Sequence, residues 1–78
     1  MANFKYTVRG EVAYLVIPDY EDTRPLAYAT ETALLGVLQE RGMEIDPDER
    51  LYLLSEIASA IVRDHNEEIV DLGEIKVK

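Results

Sequence analysis

From Phe4 to Arg9 the chain alternates: Phe4, Tyr6 and Val8 are apolar, while Lys5, Thr7 and Arg9 are not. Period two is the spacing of a strand that buries one face. The next segment, Glu11 to Ile17 (EVAYLVI), is rich in β-branched and aromatic residues, and Gly10 separates the two. Together they predict a β-hairpin. A two-residue loop at Gly10-Glu11 puts glycine first, as a type II′ turn requires. That register sets Val8 against Ala13, Tyr6 against Leu15 and Phe4 against Ile17, all on one face. The other face pairs Arg9 with Val12, Thr7 with Tyr14 and Lys5 with Val16. It is mixed, so it is partly exposed or only lightly covered.

Pro18 has no N–H to give to a ladder and ends the second strand. A helix starts near Thr23 or Arg24, with Asp22 or Thr23 as its cap and Pro25 in the first turn. Leu26, Thr30, Ala33, Leu34, Val37 and Leu38 recur at helical spacing as its buried stripe. Gly42 ends it in a left-handed conformation, with Met43 folding back over the last turn. Gly36 disfavours a helix interior by about 1 kcal/mol, so close packing of another element is expected beside it. Asp46, Pro47 and Glu49 then read as N-cap, N1 and N3 of a second helix, in a variant of the capping box, running to about His65. Its apolar positions, from Leu51 to Val62, cover half the wheel or more. Such breadth places it centrally, against both the sheet and the first helix, or at an oligomer interface. The tail EIVDLGEIKVK returns to period two, and its parity changes at Gly73, where a bulge keeps Val70, Leu72, Ile75 and Val77 on the core side. Lys76 and Lys78 would protect a free edge. The expected fold is a single small α+β domain over residues 1–78: β-hairpin, two helices, C-terminal strand (ββααβ), with a three-stranded, mostly antiparallel sheet carrying both helices on one face.

Composition narrows the classes of function. The chain has 78 residues and no cysteine. Disulfide staples and thiolate metal sites are excluded, and an intracellular, cytoplasmic protein is expected. The longest apolar run, Val12–Ile17, is too short to span a membrane, and the first ten residues lack the apolar core of a signal peptide. Sixteen acids against eight bases leave a net charge of −8. That charge repels nucleic acid and anionic membranes and attracts basic proteins, although solubility alone also accounts for it.

Candidate chemistry is sparse. The one histidine, His65, forms with Asp64 and Glu68 a weak metal-ligand set, but a histidine closing a helix also serves the helix dipole. The second histidine or cysteine of a transition-metal site is missing. Ser55 and Ser59 do not align with His65, and no nucleophile elbow, P-loop or dinucleotide fingerprint is present. No cofactor is called for, and the chain reads as non-catalytic. The acids fall into three groups, around Asp19 to Asp22, Glu44 to Glu49 and Asp64 to Asp71, each at a junction of elements. Spaced negative charges can imitate a phosphate track, and in this the chain resembles, by class only, small acidic inhibitors of phages and mobile elements such as some anti-CRISPR proteins. Taken singly, each acid reads as a cap or as solvated turn.

Aromatic residues are the better signal for a partner. Tyr20 stands in the corner Asp19-Tyr20-Glu21, and Tyr28 and Leu35 lie seven apart on the first helix with Glu31 near them. An apolar patch with a polar rim marks a protein contact, unless the same chain covers it. The expected site is therefore Asp19, Tyr20, Glu21, Tyr28, Glu31 and Leu35. The expected partners are a protein, basic in character, and a second copy of the chain. The competing expectations are a structural or accessory subunit of an assembly, and a small enzyme or metal protein centred on His65.

Overall fold

A computed structural model describes residues 2–18, 22–64 and 68–78. The order is β1 (Ala2–Val8), β2 (Glu11–Ile17), α1 (Thr23–Glu40), α2 (Pro47–Arg63) and β3 (Ile69–Glu74). The sheet order is β2-β1-β3. β2 runs antiparallel to β1 and β3 runs parallel to it, so the sheet is mixed and the first strand is its centre. Both helices cover one face: α1 packs on β2, α2 packs on β3, and the helices pack on each other. Between the layers lie Phe4, Tyr6, Val8, Leu15, Leu34 and Ile57, all buried. Each such side chain contributes about 1.5–3 kcal/mol by leaving water.

The hairpin register differs from the expected one by two residues. Phe4 opposes Leu15, Tyr6 opposes Ala13, and Val8 opposes Glu11. A slip of two keeps every side chain on its own face, so alternation alone does not distinguish the registers. The turn decides. Its central pair is Arg9-Gly10, with φ of 49° and 81°. Two positive φ values make a type I′ turn, whose twist matches that of the strands. Arg9 takes this conformation while its Nη2 donates to the Lys78 carbonyl at 2.6 Å.

The ends of α1 form as expected. Asp22 is the N-cap, and its Oδ1 accepts from the Arg24 N–H at 3.1 Å. At the other end Met43 N–H donates to Leu38 O and Gly42 N–H to Gln39 O, the two bonds of a Schellman motif. The buried stripe is rotated from the expected one. Ala27 and Glu31 are buried with Thr30, Leu34 and Leu38, while Leu26, Ala33 and Val37 are only half-buried. Thr30 is accommodated because its hydroxyl donates to Leu26 O at 2.7 Å. Gly36 does not have the neighbour expected of it: a Cβ there would meet nothing within 4 Å.

α2 starts with Asp46 and Pro47, but the capping box is not made, since the Asp46 side chain caps no N–H. Its Oδ1 lies 3.8 Å from Lys78 Nζ instead. The helix stops at Arg63 with Asp64 as C-cap, and His65 lies outside the described residues. Leu53, Ile57, Ala60 and Ile61 are buried, whereas Leu51 and Val62 are exposed.

Gly73, at φ 75°, carries the bulge: Lys5 faces Asp71 and Tyr6 faces Gly73, leaving Leu72 as the extra residue. Val70, Leu72 and Ile75 are all buried as a result, and Val77 is half-buried. The Asp71 Oδ1 accepts from the Gly73 N–H at 2.8 Å and holds the bulge. Lys76 and Lys78 lie beyond the strand, and the Lys78 N–H donates to Glu44 O, which ties the tail to the interhelical loop rather than to an edge.

Candidate interaction surface

α1 and α2 form an antiparallel pair. Glu31 of α1 meets Arg50 near the start of α2, and Arg24 and Tyr28 near the start of α1 meet Val62 near the end of α2. This arrangement gathers the acids at two poles. Asp22, Asp64 and Glu68 share the end where β2 gives way to α1. Glu44, Asp46, Asp48 and Glu49 share the other. With α1 at 18 residues, the poles stand roughly 27 Å apart at 1.5 Å per residue.

Between the poles, on the outer side of the helix pair, Tyr28 meets Leu54, Ala58 and Val62 around a shallow cleft of about 190 Å³ that Thr23 and Arg24 complete. Tyr28 and Val62 are 60% and 62% exposed. Leu51, at 78%, continues the strip by one turn, because positions 51, 54, 58 and 62 repeat at three- and four-residue intervals along one line of the helix. The apolar excess expected separately on α1 and α2 is thus partly one patch. Its edge carries Arg24, Arg50 and Arg63, the last paired with the Asp64 carboxylate at 3.4 Å.

Of the expected site residues, Tyr28, Glu31 and Leu35 fall within the described chain and do not share one open face. Tyr28 lies in this patch, Leu35 is half-buried, and Glu31 is 9% exposed, its Oε1 at 3.4 Å from Arg50 Nε. Glu31 therefore faces the helix–helix seam instead of the rim of an open patch, because it belongs to the buried stripe of α1, on the side toward α2. Asp19, Tyr20 and Glu21 lie outside the described residues. So does His65, which leaves only Asp64 and Glu68 of the metal-ligand set; among the described residues no group of three ligating side chains converges.

The open face of the sheet carries a second apolar surface that the expected site did not include. Val12, Tyr14 and Val16 of β2 are exposed, Tyr14 by 60%, and Ile69 of β3 lies across the sheet from them. The observed register sets Val16, Asn3 and Ile69 in one row and Tyr14, Lys5 and Asp71 in the next. The signal for this surface was the apolar content of both parities in EVAYLVI. A cleft of about 270 Å³ between α2 and the tail is lined by Glu49, Glu56, Glu74 and Lys76 with Tyr52 and Ile75. No helix among the described residues is long and apolar enough to cross a membrane. No protein-family model, curated protein or solved structure matches the chain.

Proposed function

We propose that this chain is a non-catalytic interaction module that docks on a protein partner through the outer face of its helix pair, and that the partner is a basic, nucleic-acid-binding protein which it regulates or inhibits. The observation that carries the reading is the apolar strip lying between two acidic poles, in which Tyr28, Leu51 and Val62 are exposed and Leu54 and Ala58 half-buried. An apolar centre supplies affinity by desolvation, while the poles steer a positively charged surface onto it; of the arginines at its edge, Arg50 and Arg63 are paired with Glu31 and Asp64. A net charge of −8 favours such a partner over nucleic acid itself.

Immobilised protein, challenged with an extract of its native host, should retain basic nucleic-acid-binding proteins at low salt and release them steeply as salt rises. Tyr28→Ala with Val62→Ser should weaken retention at every salt concentration. The triple change Asp19→Asn, Glu21→Gln, Asp22→Asn should weaken it chiefly at low salt, and Asn remains an adequate cap at position 22. Binding indifferent both to salt and to these changes would remove the reading.

A further inference from the structure

The two edges of the sheet are built differently. The outer edge of β3 is interrupted by the Gly73 bulge, and its strand carries Asp71 and Glu74. These are the devices that keep an edge from pairing. The outer edge of β2 has none of them: seven residues without a bulge, uncharged from Val12 to Ile17, with proline only after the strand has ended. The hairpin fixes which backbone groups face outward there. Val8 and Glu11 flank the two-residue turn and exchange hydrogen bonds, so by alternation do Tyr6 with Ala13 and Phe4 with Leu15. The N–H and C=O groups of Val12, Tyr14 and Val16 consequently point away from β1, into the open edge.

We infer that β2 pairs antiparallel with β2 of a second copy about a twofold axis at Tyr14, giving a continuous six-stranded sheet. The sequence is self-complementary about that point. Val12 faces the partner's Val16, Tyr14 faces Tyr14, and Ala13 faces Leu15, small against large, on the core side. All three outward residues fall in hydrogen-bonded pairs. The only charge in the strand, Glu11, lands at opposite ends of the new ladder and is held by Arg41 of its own chain.

The helix layer fits the same axis. α1 lies over β2 with α2 on its inner side, so its other flank points past the β2 edge. That flank carries Leu26, Ala29, Ala33 and Val37, half-buried and uncharged. α1 is centred between residues 31 and 32, as β2 is on Tyr14, and the axis sets Leu26 against the partner's Val37, with the small side chains of Ala29 and Ala33 between them. The strip is roughly 25 Å long by strand rise. Two layers about 10 Å deep then make on the order of 500 Å² of face per chain, near the lower bound of a specific interface. Association in the micromolar range is expected.

The inference is independent of the docking proposed above, which uses the other side of α1. Sedimentation of the full chain at 100 μM should give twice the 8.9 kDa of the monomer. Tyr14→Pro removes an outward N–H that the hairpin does not use, and should be folded by circular dichroism and monomeric by sedimentation. Leu51→Lys, on the docking strip, should leave the dimer intact. In the unaltered protein, amide exchange at Val12, Tyr14 and Val16 should slow about four- to sevenfold on going from 1 to 100 μM, as mass action gives for a micromolar dimer. A monomer at 100 μM overturns the inference, as does a dimer in which those three amides exchange at the rate of the dilute protein, or one that Leu51→Lys dissociates.

Discussion

Two glycines illustrate how backbone conformation decides the sign of a substitution. A Cβ built on Gly36 or on Gly73 meets nothing within 4 Å, so space does not distinguish them. Gly36 lies in the interior of α1, whereas Gly73 sits at φ 75° in the β3 bulge. Gly36→Ala should therefore stabilise the fold by about 1 kcal/mol, the helix-propensity difference, and Gly73→Ala should destabilise it by about 1–2 kcal/mol, the left-handed penalty. Urea unfolding of the two variants beside the parent protein measures both signs. The parity change marked Gly73 in the sequence because a bulge leaves a trace in the hydrophobic pattern. Gly36 left none, since an exposed helical glycine and a tightly packed one look alike there. Arg9 is the residue that pattern reading could not place: its positive φ is selected by the twist of the strands it joins, against its own preference.

Among the elements, the two helices begin with the same residue type and use it differently. Asp22 caps α1 through its carboxylate, and Asp46 does not cap α2. Asp22→Ala should cost about 1 kcal/mol, the usual worth of a cap, while Asp46→Ala should stay within about 0.5 kcal/mol, having only an exposed ion pair and the helix dipole to lose. Thermal unfolding at neutral pH compares them directly. Element boundaries were legible from Pro18, Pro47 and the Gly42-Met43 pair, because each is a stereochemical stop or start. Burial around α1 was less so. Its stripe is set by two supports at once, β2 beneath and α2 beside, and Glu31 is drawn inward by Arg50, a residue 19 positions away that no local pattern connects to it. The candidate surface shared this fate. Tyr28 and the excess apolar positions of α2 were readable separately, but their meeting depends on the antiparallel helix pairing, and the β2 edge depends on the strand order.

For the whole molecule, charge and core size set the stability. A chain of 78 residues at −8 repels itself, and salt screens that repulsion. Its melting temperature should rise between 10 and 500 mM sodium chloride, which calorimetry at pH 7 can follow. A domain of this length has roughly 4–12 kcal/mol of stability at 0.05–0.15 kcal/mol per residue. Phe4, fully buried at the centre of the sheet, is worth about 3–5 kcal/mol against alanine, so Phe4→Ala should leave a large unfolded fraction at 37 °C. Strand order also has a temporal side. β1 is the central strand, yet one of its two neighbours is β3, more than sixty residues further along. During synthesis β1 can find β2 within seconds, but its other edge stays bare until the ribosome has released Ile69–Glu74, after both helices have emerged. Pairing of β3 is thus the step that closes the sheet. A chain stalled or cleaved before it would present Phe4, Tyr6 and Val8 beside an open ladder, the kind of surface that chaperones and proteases recognise.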